Sequence, residues 1–227
     1  MTNRNLISCF VNSQYETLSN WLSSTLYDEH FLPLLKERYI TYYVQNFLIP
    51  SIFDFTLKNT ANPGGIVEIG CAEGYLSEIL SSTAKNNKVD YVAIDPWNGQ
   101  QEGDESKYQS FLKKIEKNKD STFVYRQSSQ NRETLDIFNK HKASVAYVDG
   151  LHYTEAAYED ILTCVNSNNC ELICVDDLIF GRNDYVQAAF DRAVNEKLIE
   201  PVRIVNKDAY AKVTEFKEYQ LAFVNKK

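Results

Sequence analysis

Acidic residues end two apolar runs in the second half of the chain. The run SVAYVD ends at Asp149, with His152 three residues later, and the run ELICVDD ends at Asp176 and Asp177. If both runs are neighbouring strands of a parallel sheet, their carboxyl ends meet at one edge and these side chains converge. Clustered carboxylates need a neutralising proton or cation. Oxygen donors with at most one imidazole favour magnesium, manganese or calcium over zinc or copper. We therefore predict a divalent-metal site, with Mg²⁺ as the expected ion.

A second set of chemically useful residues lies in the stretch IVEIGCAEGYLSEIL, residues 66–80. Glu68, Gly70 and Gly74 are spaced as acid-x-Gly-x-x-x-Gly, in what reads as a strand, a turn and a helix. This spacing is not the G-x-G-x-x-G fingerprint that brings a backbone close to a pyrophosphate. An acid at the strand end would repel a phosphate, so a cationic ligand without phosphate fits better. S-adenosylmethionine, with its ammonium and sulfonium groups, is such a ligand, although an ordinary strand-to-helix turn is the alternative.

The next apolar run, VDYVAID, ends at Asp95, about one strand-helix unit later. An acidic side chain at this place can accept hydrogen bonds from both hydroxyls of a ribose. Trp97, two residues further on, is either a wall of a nucleoside site or part of the core. Asp95 therefore strengthens the prediction of a nucleoside-containing ligand.

These segments together resemble the class I S-adenosylmethionine-dependent methyltransferases. VEIGCAEG resembles their first motif, AIDPW their second, and YRQSSQ the strand-end segment that contacts adenine. The resemblance covers roughly residues 64–225. It implies that the cofactor-binding residues are Glu68, Gly70, Cys71, Gly74, Asp95, Pro96, Gln127, Ser128 and Asp149.

The acidic cluster resembles, more narrowly, the metal-dependent O-methyltransferases, in particular the macrocin-type group that acts on sugars of natural products. In that group an Asp-x-x-His segment supplies a metal ligand and a base. The resemblance implies that His152 and Asp149 are catalytic, with His152 as the base, and that Asp149, Asp176 and Asp177 bind the metal. Asp177 departs from the catechol-type branch, which usually has asparagine there. The implied reaction is methylation of a hydroxyl of a small molecule, either a sugar or another natural product.

Two other functions stay open from the sequence. A non-catalytic domain that binds S-adenosylmethionine, or a scaffold, is compatible with the same motifs because a fold does not fix a function. An iron-dependent hydroxylase on this fold would use two histidines and one carboxylate, but only His152 lies near the proposed site. The aspartates themselves also have a structural alternative, in which they bond to nearby backbone groups in turns.

The elements that must position these residues follow from the alternation of short apolar runs with helix-length stretches after residue 65. This alternation predicts right-handed crossovers and an α/β, doubly wound, mostly parallel sheet. The last two runs, VRIV at 202–205 and YQLAFVN at 219–225, are separated by too few residues for a helical crossover. We therefore expect an antiparallel last strand and a seven-stranded sheet, which is the Rossmann-like methyltransferase fold that the resemblance implies.

The N-terminal part of the chain has a different character. Residues 13–58 carry apolar side chains at helical spacing, with Pro33 and Pro50 as breakers, which predicts two or three helices. We expect residues 1–62 to form a helical cap or lid and residues 63–227 to form the S-adenosylmethionine-binding domain, in one compact unit. The cap and residues 98–108 are the segments expected to select the acceptor.

Composition restricts the partners and the compartment. The 227 residues, 44% of them hydrophobic, are enough for one well-buried core. A net charge of −7 argues against nucleic acid as a partner, and the sequence has neither a secretion signal nor about 18 uninterrupted apolar residues that would span a membrane. The five cysteines include no C-x-x-C pair, so we expect free thiols in the cytoplasm. The expected partner is a small-molecule hydroxyl acceptor, and a homo-oligomer is compatible with the sequence.

Overall fold

The structure, a computed structural model, describes residues 3–25, 44–98, 104–179, 185–206 and 219–227. Its helices are α1 (Asn3–Thr25), α2 (Ile49–Asn59), α3 (Tyr75–Asn87), α4 (Asp104–Ile115), α5 (Thr134–Lys140), α6 (Thr154–Asn166) and α7 (Val186–Asn195). A π-helical turn, Val44–Leu48, leads into α2, and a 3-10 turn, Glu116–Ser121, follows α4. The strands are β1 (Ile66–Ile69), β2 (Tyr91–Ile94), β3 (Thr122–Tyr125), β4 (Val145–Val148), β5 (Leu172–Ile179), β6 (Ile199–Asn206) and β7 (Tyr219–Lys226).

The strands form one seven-stranded sheet in the order β3-β2-β1-β4-β5-β7-β6. Strands β1 to β5 are parallel, whereas β7 lies antiparallel between β5 and β6. The predicted fold class is confirmed, including the antiparallel end of the sheet. The chain runs outward from β1 in one direction to β3 and from β4 in the other direction to β5. A crevice is therefore expected above the carboxyl ends of β1 and β4, where the strand order reverses.

The sheet is the centre of the hydrophobic core. Every residue of β1, β2 and β4 is buried, as expected for parallel strands with helices on both faces. One face carries a cluster that also includes Ile7 and Val11 of α1 and Phe53 of α2, and the other face packs mainly against α5, α6 and α7. The N-terminal helices thus share a core with the sheet through the face that also holds α3.

The helical character of the N-terminal segment is confirmed in the residues that the structure describes. Pro50, expected as a breaker, instead lies in the first turn of α2, where its missing N–H is no loss because the first helical N–H groups have no partner within the helix. Residues 26–43 and 99–103, which belong to the segments expected to select the acceptor, lie outside the described residues. No helix in the described part of the chain is long and apolar enough to cross a membrane.

Candidate active site

The turn between β1 and α3 forms one wall of the crevice. Gly70 and Gly74 have φ values of +82° and +79°, which favour glycine. A Cβ atom built on Gly70 would lie only 1.8 Å from the backbone oxygen of Asp149, at the end of β4. Gly70 therefore allows the turn to pass directly against the segment that carries Asp149, and the two predicted halves of the site are adjacent.

Asp95, at the end of β2, holds this turn in place. Its Oδ2 accepts hydrogen bonds from the backbone N–H groups of Cys71 at 2.9 Å and Ala72 at 3.0 Å, and its Oδ1 accepts one from Trp97 at 3.0 Å. Burial raises the pKa of Asp95, while the three backbone donors oppose this rise. The carboxylate is thus fixed between the first two strand ends, where it accepts the N–H of the buried Cys71 and is followed in sequence by Pro96. Its predicted contact with a ribose stays a prediction.

Trp97 belongs to the core and does not form an open wall of the crevice. Its side chain is buried and packs against Tyr108 and Phe111, at ring-centroid distances of 5.0 and 4.8 Å. Its indole N–H donates to the backbone oxygen of Ala72 at 2.9 Å, and Arg126 donates to the Trp97 backbone oxygen. Trp97 therefore joins the ends of β1, β2 and β3.

Glu68 lies beneath the turn, within the sheet. Its side chain is 2% exposed, and its Oε2 accepts a hydrogen bond from the hydroxyl of Tyr91 at 2.5 Å. Burial raises the pKa of Glu68 from its usual 4.5 to about 8, so the carboxyl is mainly protonated at neutral pH. The sequence suggested that Glu68 would attract the cationic part of a ligand. The structure instead places it in contact with Tyr91, away from the open crevice, and its role in binding stays a prediction.

The segment after β3 lies beside the end of β2. The Gln127 side chain donates to Thr134 Oγ1 at 3.3 Å, and the Ser128 hydroxyl donates to Gln130 Oε1 at 2.6 Å. The N–H of Asp95 donates to the Tyr125 backbone oxygen at 3.3 Å, which connects this segment to the second strand end. Gln127 and Ser128 thus follow the strand end that is hydrogen-bonded to Asp95, and their contact with an adenine stays a prediction.

A cluster of two carboxylates and one imidazole lies across the ends of β4 and β5. His152 Nε2 is 3.4 Å from Asp149 Oδ1 and 3.3 Å from Asp177 Oδ2. One potential ligand atom from each of the three residues lies within 4.8 Å of the others. The predicted convergence of Asp149, His152 and Asp177 is confirmed, whereas their roles are untested.

The electrostatics of this cluster reflect its excess of acid. Burial raises the pKa of Asp149 most, and the negative charges of Asp176 and Asp177 raise it further against the effect of the His152 contact. The hydrogen bond to Asp149 raises the pKa of His152, and its partial burial opposes this rise. With half of its side chain exposed, His152 can be reached from solvent. A protonated imidazole would be a positive partner for the carboxylates, and a cation bound at this place would neutralise them while leaving the imidazole neutral.

Asp176 does not join this cluster, although it was predicted as a metal ligand. It is 4% exposed, it accepts a hydrogen bond from the Tyr147 hydroxyl, and its Oδ1 accepts the N–H of Asp177 at 2.7 Å. The pairing of β5 with β7 is irregular between Val175 and Leu178, and Asp177 has a φ of +55°. This β-bulge directs neighbouring side chains differently from a regular strand, so Asp177 reaches His152 while Asp176 contacts Tyr147.

Two tyrosines that were not predicted from the sequence hold the acids. Tyr91 and Tyr147 are buried within β2 and β4, and each hydroxyl donates to a carboxyl on the neighbouring strand, Glu68 or Asp176. The available signal was a tyrosine inside an otherwise apolar strand, because a buried tyrosine hydroxyl usually has a hydrogen-bond partner. Both residues support the site from within the core.

Comparisons with known proteins agree with this architecture. Residues 67–169 match a family model described as a methyltransferase domain. No curated protein sequence matches the chain significantly. This match extends from β1 to the end of α6, and it includes the turn at Gly70 and the end of β4.

Solved structures with similar folds are methyltransferases of several kinds. The methyltransferase domain of bacterial CtHen1-C has 12% identity and a TM-score of 0.51, over 80% of this chain and 97% of that one. Precorrin-6y C5,15-methyltransferase from Geobacter metallireducens has 13% identity and a TM-score of 0.52, over 79% and 87%. CalS11, a TDP-rhamnose 3′-O-methyltransferase of calicheamicin biosynthesis, has 10% identity and a TM-score of 0.50, over 94% and 93%. At these identities the similarity establishes the fold alone.

Proposed function

We propose that the chain is an S-adenosylmethionine-dependent O-methyltransferase that uses a divalent cation and methylates a hydroxyl of a small molecule. The observation that carries this proposal is the contact between the two halves of the site. The turn at Gly70 lies directly against the backbone of Asp149, and Asp149 is within reach of His152 and Asp177. A cofactor over the turn would thus adjoin the acidic cluster.

The donor set fits a hard divalent cation. Asp149 and Asp177 offer carboxylate oxygens, and the potential ligand atoms of the cluster lie within 4.8 Å of one another. Magnesium binds through one or two carboxylates and keeps several waters, so two aspartates are sufficient. Burial and, to a lesser extent, the neighbouring negative charges raise the pKa of Asp149, and such an ion would neutralise the excess of charge. We assign Asp149 and Asp177 as its ligands, with Asp176 supporting Asp177 through the backbone contact.

The reaction requires a deprotonated acceptor oxygen in line with the methyl group. A bound divalent cation would lower the pKa of a coordinated hydroxyl, and S-adenosylmethionine would supply the activated methyl group. His152, half exposed and beside both carboxylates, would take the hydroxyl proton on its imidazole. Asp95 and the turn that it holds would orient the cofactor, and such positioning contributes much of the rate in this kind of transfer.

A sugar or natural-product hydroxyl is the acceptor that we propose. The support is the likeness to CalS11 over almost the full length of both chains, together with the oxygen-binding character of the cluster. The aromatic side chain of Tyr153 is 68% exposed and directly follows His152, which offers a flat apolar surface for a ring-shaped acceptor beside the base.

The proposal is tested with labelled cofactor. The purified protein, S-adenosylmethionine with a ¹³C-labelled methyl group, Mg²⁺ and a panel of sugar and phenolic hydroxyl compounds should yield S-adenosylhomocysteine and a product whose labelled carbon is bonded to oxygen in its NMR spectrum. His152→Ala and Asp177→Asn should abolish this product while the cofactor still binds. A labelled methyl group on nitrogen or carbon, or full activity after exhaustive chelation, would contradict the O-methylation or the metal dependence respectively.

A further inference from the structure

A buried carboxyl lies behind the predicted cofactor site. Asp160, on α6, has no exposed surface, and its Oδ1 accepts a hydrogen bond from Gln130 Nε2 at 3.0 Å. Its Oδ2 accepts no hydrogen bond of ordinary geometry from the described residues, although the Ser129 hydroxyl lies close enough to oppose the rise in the pKa of Asp160. Burying a carboxyl with one unpaired oxygen opposes folding, and an apolar side chain would fill the space without this penalty. The contact with Gln130 is therefore the feature that could account for an acid at this position.

The bonded oxygen of Asp160 fixes the segment that follows β3. Gln130 Nε2 also donates to Ser129 Oγ at 2.7 Å, and the Ser128 hydroxyl donates to Gln130 Oε1 at 2.6 Å. Both donors and the acceptor of the Gln130 amide are thus occupied. Asp160 thus connects this segment, residues 128–130, to helix α6. The segment includes Ser128, one of the two residues predicted to contact adenine.

The second oxygen of Asp160 faces the segment that follows β4. A Cβ atom built on Gly150 would lie 2.7 Å from Asp160 Oδ2 and 3.0 Å from Ile69 Cγ2. Gly150 directly follows Asp149 in sequence, so the Asp160 carboxyl lies against the backbone that leads from Asp149 to His152. One side chain therefore contacts both the adenine-side segment and the segment of the proposed metal site.

We propose that Asp160 is a positioning residue for recognition of the adenine ring. Through Gln130 it holds residues 128–130 against Gly150, and thereby fixes the groups that meet the edge of the ring. This inference rests on the proposed function, because it assumes that the cofactor's adenine lies at the end of β3.

The charge state of Asp160 suggests a conservative replacement. Burial raises the pKa of Asp160 from its usual 3.8 to about 7, against the effect of hydrogen bonds from Ser129 and Gln130. Asparagine has the same shape, is neutral, and offers one oxygen to Gln130. Asp160→Asn should therefore preserve the anchoring that Asp160→Ala removes.

The test measures discrimination between two ligands by calorimetry. S-adenosylhomocysteine carries an amino group on its purine, and S-inosylhomocysteine carries an oxygen at the same position. The wild-type protein should prefer the adenine compound. Asp160→Ala should weaken binding of S-adenosylhomocysteine by about tenfold and bring the ratio of the two affinities toward one. In the wild type, a rigid segment 128–130 leaves one of its polar groups unpaired when S-inosylhomocysteine is bound, and this penalty disfavours that ligand. In Asp160→Ala the segment can adjust to either ligand, so the penalty is lost. Asp160→Asn should retain the wild-type ratio.

Two further variants separate positioning from general destabilisation. Cys164→Ala alters a fully buried residue one turn further along α6, and it should lower the melting temperature without changing the ratio. Gln130→Met removes the amide through which Asp160 acts, and it should reproduce the loss of discrimination. Adding Asp160→Ala to Gln130→Met should cause no further loss, since the two residues act through one contact.

The outcomes distinguish this inference from the function on which it rests. No binding of S-adenosylhomocysteine by the wild-type protein would overturn the proposed function. Wild-type binding with an unchanged ratio in Asp160→Ala and in Gln130→Met, or a wild-type protein that binds both ligands equally, would overturn only the role of Asp160. If Asp160→Ala does not fold, the ratio measured for Gln130→Met decides the question.

Discussion

The buried acid of the first strand should make the stability of this protein depend on pH, and Glu68→Gln is the substitution that tests it. Glu68 is 2% exposed and accepts a hydrogen bond from the Tyr91 hydroxyl. Burial raises its pKa from 4.5 to about 8 in the folded protein, with the Tyr91 hydrogen bond acting in the opposite direction. In the unfolded chain the same carboxyl is in water, and its pKa returns to the ordinary value.

The sign and size of the effect follow from these two pKa values. Between pH 4.5 and about 8 the folded protein holds a proton on Glu68 that the unfolded chain has lost, so the contribution of this group to stability falls as pH rises through that window. The slope approaches about 1.4 kcal/mol per pH unit. From pH 5 to pH 8 the free energy of unfolding of the wild-type protein should therefore fall by up to about 4 kcal/mol relative to that of a protein without the ionisable group. Glutamine removes that group and can still accept the Tyr91 hydrogen bond.

The assay is urea unfolding of the wild-type protein and Glu68→Gln at several pH values from 5 to 8, with the free energy of unfolding obtained by linear extrapolation. Glu116→Gln serves as the control for loss of a carboxylate, because the Glu116 side chain is 66% exposed. The free energy of unfolding of Glu68→Gln should increase relative to that of the wild type as pH rises. The difference between Glu116→Gln and the wild type should stay constant over the same range. Parallel curves for the wild type and Glu68→Gln would mean that the Glu68 pKa is the same in the folded and unfolded states, and would refute the reasoning.

Four further substitutions test the walls of the site. Asp95→Ala leaves three backbone N–H groups without their acceptor. It should lower the free energy of unfolding by about 2–4 kcal/mol and weaken binding of S-adenosylhomocysteine in calorimetry. An unchanged affinity would mean that Asp95 does not bind the ribose. Gly70→Ala places a Cβ against the Asp149 backbone oxygen at φ +82°, so a soluble variant with the wild-type melting temperature would contradict the turn described above. Asp177→Asn should weaken Mg²⁺ binding more than Asp176→Asn does, and equal effects in titration calorimetry would make Asp176 a ligand as well.

Much of the fold could be predicted because its strands are short apolar runs, and the central strands β1, β2 and β4 are buried on both faces. The runs that became β1 to β5 contain mostly valine, isoleucine, alanine and tyrosine, and the helical stretches between them require parallel crossovers. The short separation of the last two runs also predicted an antiparallel pair. The insertion of β7 between β5 and β6 could not be predicted in this way, because it depends on pairing between segments that are distant in sequence.

The site was predictable only to the level of which strand ends meet. Asp149 and Asp177 converge because β4 and β5 are parallel neighbours. Their separation from Asp176 depends on the bulge in β5, which the letters ELICVDD do not reveal. The protonation of Glu68 depends on complete burial beside Tyr91, and burial is a property of the packed protein.

The most direct test of the central claim is a crystal structure of the protein with S-adenosylhomocysteine and Mn²⁺, with the metal located by anomalous scattering. We predict that the nucleoside lies over the turn at Gly70, with its ribose hydroxyls at Asp95. The anomalous peak should lie between Asp149 and Asp177, with the sulfur of S-adenosylhomocysteine directed toward it. A nucleoside bound elsewhere, or the absence of a metal peak at Asp149 and Asp177 in a crystal that contains the bound nucleoside, would contradict the account.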